Sequence, residues 1–273
     1  MWRSLESRTQ LYHLVHEMRK SGLSYRRMQA KIFEESGTNL SRSSISYWLT
    51  GKHHPSGSLN RFDAKPCPEL SYGIGVALSD GNVNTYEYDR QIMLSVTDRD
   101  FADEFSQCLA KVLGRRTAYK VRWSEKRARW IVQGCSVLLY NFLSSNLSHL
   151  RKWIEHCDKC KSVFLRAFYD GEGSISGHNL TVYNTERDLL VYVRCLLDSF
   201  DIETLPLSVM TRAGTRLTDP KTGKTYFRKD DCFRFSIRTR SLLTFSQLIG
   251  FTIKRKQTRL SQACLEIKQR SSL

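Results

Sequence analysis

A chain of 273 residues, 40% hydrophobic and 11% aromatic, carries enough apolar material to fold as one large domain or two to three smaller ones, which excludes disorder. Its formal net charge of +16 points to a polyanionic partner. Nucleic acid is preferred over a membrane surface, because the cations are interleaved with strand-like patterns and do not gather on one amphipathic helix. No apolar run approaches the roughly 20 residues of a membrane helix, and the opening Met1-Trp2-Arg3-Ser4-Leu5-Glu6 lacks a signal peptide's apolar stretch, so a cytoplasmic, intracellular protein is expected.

Residues 8–20, 24–35 and 42–49 read as helices, with Gly22 and Gly37 as punctuation and Ser24 and Ser41 as N-caps. Together they are similar to the helix-turn-helix modules of resolvases and transposases. In that arrangement Ile45, Trp48 and Leu49 pack inward, while Arg42, Ser43, Ser44, Ser46 and Tyr47 face the major groove. This first domain is expected over 1–52. Gly, Pro, Ser, Lys and His dominate the next stretch, so 53–68 reads as a linker.

The rest of the chain repeats itself. Gly73-Ile74-Gly75-Val76-Ala77-Leu78-Ser79-Asp80-Gly81 and Leu165-Arg166-Ala167-Phe168-Tyr169-Asp170-Gly171-Glu172-Gly173 each combine a stripe of small residues with an acid just before a glycine expected to stop the helix. Side by side, two such helices bring Asp80 and Glu172 together, and paired carboxylates in a basic protein suit Mg²⁺ held against a nucleic-acid phosphate. Gly75, Gly81 and Gly173 are the glycines that close packing and helix termination require.

After each motif the pattern runs strand (86–96 and 174–183), then Thr97-Asp98-Arg99-Asp100-Phe101 or Thr185-Glu186-Arg187-Asp188-Leu189, then an amphipathic helix. Strands at 118–123 and 129–133 in the first repeat match 226–229 and 232–238 in the second, and Ser136-Val137-Leu138-Leu139-Tyr140 mirrors Ser241-Leu242-Leu243-Thr244-Phe245 at a final helix. Each half is therefore αββαββα, over 69–160 and 161–273, and the expected fold class is α+β with pseudo-twofold symmetry. In Phe233-Arg234-Phe235-Ser236-Ile237-Arg238 apolar residues alternate with Arg, Ser and Arg, and Lys120 and Arg122 alternate with Tyr119, Val121 and Trp123. One sheet face is buried and the other cationic, forming a saddle that offers Lys120, Arg122, Arg234, Ser236, Arg238 and Arg240 to DNA.

These paired motifs resemble the signature of single-chain LAGLIDADG homing endonucleases over about 69–265, the second closely, the first with Leu78 where the family pattern has Asp. The resemblance implies a β-saddle on double-stranded DNA, cleavage across the minor groove, and two or three Mg²⁺ ions at Asp80 and Glu172. The closing Ile249-Gly250-Phe251-Thr252-Ile253-Lys254-Arg255-Lys256-Gln257 resembles the family's ending, where a lysine lies near the scissile phosphate. By that pattern Lys254 is the leading catalytic lysine and Lys256, also a DNA-contact candidate, the second. The repeat sets His149 opposite Lys254, and Asp170 is given a supporting role.

The expected protein is thus a monomeric, site-specific DNA endonuclease. An RNA maturase that binds intron RNA and a cleavage-deficient DNA-binding regulator are the alternatives. Eight scattered cysteines suit a reducing compartment. In His156-Cys157-Asp158-Lys159-Cys160 the two thiols have metal-ligand spacing but lack a matching second pair, so zinc is not expected and both are read as buried or helix-capping thiols.

Overall fold

The computed structural model describes residues 4–56, 62–86, 89–219 and 222–271. Three helices come first: α1 (Leu5–Lys20), α2 (Tyr25–Ser36) and α3 (Arg42–Leu49). The hydroxyls of Ser4, Ser24 and Ser41 accept from the amides of Ser7, Arg27 and Ser44, satisfying N–H groups that each first turn leaves without a partner. The Ser4 cap starts α1 three residues before the expected Arg8. Leu11, Val15, Met18, Met28, Ile32 and Ile45 form a core separate from that of the rest of the chain, with Trp48 and Leu49 against it as expected.

The stretch read as a linker is docked at both ends. His54 packs its ring on Tyr12 at 4.7 Å, and Ser56 is buried. At the other end Phe62 meets Phe142 at 5.3 Å, and the Trp153 indole donates to the Ala64 carbonyl at 2.5 Å.

The first half comprises α4 (Pro68–Ala77), β1 (Gly81–Tyr86), β2 (Asp89–Val96), α5 (Arg99–Val112), β3 (Arg122–Ser124), β4 (Arg129–Cys135), α6 (Val137–Leu143) and α7 (Leu147–Ile154). The second comprises α8 (Asp158–Glu172), β5 (Gly173–Ser176), β6 (Asn179–Asn184), α9 (Arg187–Asp198), β7 (Ser208–Thr211), β8 (Arg216–Thr218), β9 (Thr225–Phe227), β10 (Cys232–Ile237), α10 (Leu242–Leu248) and α11 (Lys254–Ser271). Since α8 begins at Asp158, its first turn precedes the expected boundary at 161. Two four-stranded antiparallel sheets result, ordered β1-β2-β4-β3 and β5-β6-β10-β7, with β8 and β9 as a separate pair, so the α+β class and the repeated plan hold.

Two strand expectations need correction. Residues 118–121 are not in a strand, and β3 begins only at Arg122, so Lys120 lies ahead of the sheet. The segments 226–229 and 232–238 are not neighbours in the sheet but successive parts of one returning arm. β8 pairs with β9, and β7 pairs with β10 through a register shift at Cys232/Phe233. Val209 and Met210 of β7 are both exposed, so this edge strand has no inward–outward alternation to reveal it.

At the molecule's centre α4 and α8 pack backbone to backbone. A Cβ added at Gly75 would lie 2.7 Å from the Phe164 carbonyl and 2.9 Å from Ala167 Cβ, and one added at Gly171 would lie 2.7 Å from Ser79 Cβ. These are matching positions of the two motifs in reciprocal pairs, as a pseudo-twofold axis demands. Gly81 and Gly173 act differently from expectation. Neither has positive φ, and Gly173 is extended at φ −83°; what requires glycine is a carbonyl, Val76 O or Tyr169 O, 2.5 Å from where Cβ would stand.

Candidate active site

Glu172 is the last residue of α8, whereas α4 ends at Ala77 and Asp80 follows in a turn tied by the Ser79 hydroxyl to the Gly75 carbonyl at 2.9 Å. The two motif acids nonetheless come together. Glu172 is pushed up to about 7, first by loss of hydration and next by the charge of Asp80, against which Lys256 and the Asn184 amide act. Asp80 is raised too, by loss of hydration, opposed by Lys256 and Arg129. Asn184 donates to Glu172 Oε1 at 3.0 Å and fixes its rotamer. Asp80 is exposed and Glu172 half-buried, so two partly desolvated carboxylates lie near each other with an open side, and their hard oxygens suit Mg²⁺ or a similar ion; the residues fit the expected metal.

The two candidate lysines sit in different environments. Lys254 begins α11 with its side chain 86% exposed, its ammonium 3.7 Å from Asp100 and its amide donating to the same carboxylate. Lys256 is 6% exposed and donates to three carbonyls, those of Tyr169, Asp170 and Gly173, at 3.2, 2.5 and 2.6 Å. It closes the carboxyl end of α8 beneath the acids, and burial lowers its pKa. A side chain so enclosed does not reach DNA, which corrects its assignment as a DNA contact. The sequence held a signal for this: Lys256 shares one helical stripe with the buried Leu260 and Cys264, and Lys254, two residues back, points elsewhere.

Asp170 is 1% exposed, and its carboxylate accepts from the amides of Thr252 and Ile253 at 3.1 Å, binding the approach to α11 onto α8. Burial raises it to about 6, and those amides oppose the shift. Three groups at the site were not singled out from sequence: Arg129, which acts on Asp80 and donates to the Ser95 carbonyl; Asn184; and Asp98, held by the Arg255 guanidinium at 2.6 and 2.8 Å.

The sheets' open faces differ in chemistry. Strand register sets Asn82, Met93 and Gln133 in one row of the first sheet and Asn84, Gln91 and Cys135 in the next, with Arg122 opposite Ile131. In the second sheet Ser174, Thr181 and Ser236 form one row, and Tyr183, Arg234 and Ser208 another. Arg122, Arg234 and Ser236 therefore lie where the alternation put them. Arg238 and Arg240 fall beyond β10, and both pair with Glu203. In the first domain Arg42, Ser43 and Tyr47 are exposed and Ser44 and Ser46 half-buried; Arg42 covers the Tyr25 ring at 5.6 Å, and Tyr47 packs on His53.

Comparison with known proteins places this geometry. A family model described as LAGLIDADG-like domain matches residues 159–218. Over 258 residues, 93% of this chain and 92% of the relative, the sequence is 33% identical to uncharacterized protein MJ0398 of Methanocaldococcus jannaschii; MJ0314 of the same organism is 29% identical over 153 residues, 52% of this chain and 58% of its own length. Among solved structures, the endonuclease I-DmoI in complex with DNA and Mn superposes over 67% of this chain and 96% of its own at 15% identity and a TM-score of 0.48, and full-length DUF199/WhiA from Thermatoga maritima over 78% and 63% at 14% and 0.48. Residues 159–218, from the second motif helix onward, thus form a LAGLIDADG-like domain, and the chain as a whole belongs to one family with MJ0398.

Proposed function

We propose that this protein is a metal-dependent endonuclease that cuts a specific site in double-stranded DNA. The observation that carries the reading is the approach of Asp80 and Glu172, one from each half, into a pair in which burial and the charge of Asp80 raise Glu172 to about 7. When bound, Mg²⁺ would supply a water of lowered pKa and charge neutralisation at the leaving oxygen. Asp80 and Glu172 would hold it, Asn184 keeps Glu172 oriented, and Lys256 and Arg129 limit the negative field without occupying the carboxylates. The two open sheet faces would carry the duplex, with cations such as Arg122 and Arg234 meeting phosphates and bases. The exposed side of α3 would add a helix-turn-helix contact beside them.

A second reading, a DNA-binding regulator that does not cleave, has one observation in its favour. Lys256 uses all three ammonium hydrogens on carbonyls and Lys254 faces Asp100, so neither has a free donor turned to the carboxylate pair. Incubation of a genomic duplex library with Mg²⁺, with Asp80→Asn and Glu172→Gln in parallel, separates the two. The endonuclease yields recurrent double-strand ends with the wild type alone, and specific binding without ends establishes the regulator.

A further inference from the structure

The two motif helices have a second cluster of metal-ligating groups at their other end. His156, Cys157 and Cys160 place one imidazole nitrogen and two sulfurs within 4.8 Å of one another. Neither thiol is in a disulfide. Cys157 stands at the N-cap of α8 and Glu172 at its last position, so about 20 Å of helix separates this cluster from the carboxylate pair. A third thiol comes from the other half. Cys67 is the N-cap of α4, the Ser71 amide one turn on donates to its carbonyl, and the Ser71 hydroxyl donates to the carbonyl of Cys160 at 2.8 Å. The Cys67 thiol is near enough for its charge to act on Cys160. The matching ligand that the sequence did not offer beside Cys157 and Cys160 thus lies in the opposite half of the chain and one helix away in space.

We propose that His156, Cys157, Cys160 and Cys67 bind one soft divalent cation of the zinc class, joining the amino-terminal ends of both motif helices. Sulfur ligands about 2.3 Å from zinc and a nitrogen about 2.0 Å from it stand roughly 3.5 to 3.8 Å apart around a tetrahedron, so the cluster must contract by about 1 Å. His156 and Cys157 are exposed and free to rotate inward, whereas Cys160 is buried and held by Ser71. The hard carboxylates at one end and the thiols at the other select different metals, and this site stands whether or not the protein cleaves DNA.

The full-length chain, reduced, stripped with a chelator and titrated with Co²⁺, tests the assignment. One molar equivalent should produce the sulfur-to-cobalt charge-transfer band and the visible bands of tetrahedral cobalt, both erased by one equivalent of Zn²⁺. Cys157→Ser, a change at an exposed position, should abolish the bands while circular dichroism is unchanged. His156→Ala should weaken binding at least tenfold, and Cys67→Ser should lower the charge-transfer intensity by about a third. A wild type that gives no bands overturns the proposal, as do bands that persist in Cys157→Ser. A Cys157–Cys160 disulfide in metal-free protein prepared without oxidant also overturns it and makes the pair a redox couple.

Discussion

Where the second motif helix carries Asp170 the first carries Leu78, and the difference runs through the rest of each half. Asp170 receives the amides that lead into α11, and Lys256 in the first turn of α11 returns to close the carboxyl end of α8. In the first half Leu78 is half-buried against the core, and α7 takes its cap from its own Asn146, which accepts from the His149 amide at 2.9 Å. The residue matching Lys256 in the repeat is Arg151, which turns to Glu155 and stacks on Tyr192. Similar architecture therefore conceals unequal restraint: the second motif helix is fastened at its carboxyl end, and the first relies on its partner.

The largest expected break in this contrast is Lys256→Met, which leaves two carbonyls of α8, that of Gly173 and the buried Asp170 without their cation. It should cost about 3 kcal/mol in urea denaturation of the metal-free protein, against less than about 1 kcal/mol for Arg151→Met at its exposed pair. Asp170→Ala should cost about 2 kcal/mol, and Asn146→Ala, an ordinary N-cap loss, about 1 kcal/mol; equal costs would remove the asymmetry. A smaller effect separates the acids by pH. The folded protein holds the Glu172 proton up to about 7, well above the unfolded chain's value near 4.5. Stability from this group is therefore complete below about 4.5 and is lost as pH rises through about 7. Asp80→Asn removes part of the cause, so the loss should be smaller and should finish at lower pH, as followed by thermal melting at each pH without metal. The finest test compares the sheets: Gln133→Ala should relax base preference on one side of a bound duplex and Ser236→Ala on the other, each by about 1 kcal/mol in competition binding.

The parts of the fold legible in the sequence are those that short-range rules set. The serine caps, the glycine-ended motifs and the repeat of Thr97-Asp98-Arg99 in Thr185-Glu186-Arg187 each follow from local spacing, and the helices and half-domain order came with them. The candidate site was only half legible. Asp80 and Glu172 are placed by the motif itself, but Arg129, Asn184 and the Asp98–Arg255 pair reach them from strands and helices far along the chain. The burial of Lys256 was hidden for another reason: the likeness of a stretch of sequence does not say which face of a helix is buried, and the stripe through Leu260 and Cys264 does. The edge strand at 208–211 left no trace because both its apolar residues are exposed.

The docking of the intervening segment sets a length scale. Ser56 belongs to the helical unit and Phe62 to the central domain, and the six peptide links between them span at most roughly 20 Å. That is about six base pairs of duplex at ~3.4 Å per step. On the proposed reading, a contact made by α3 would fall near the stretch that the open sheet faces carry, and inserting a full turn of duplex between the two stretches of a target should weaken binding.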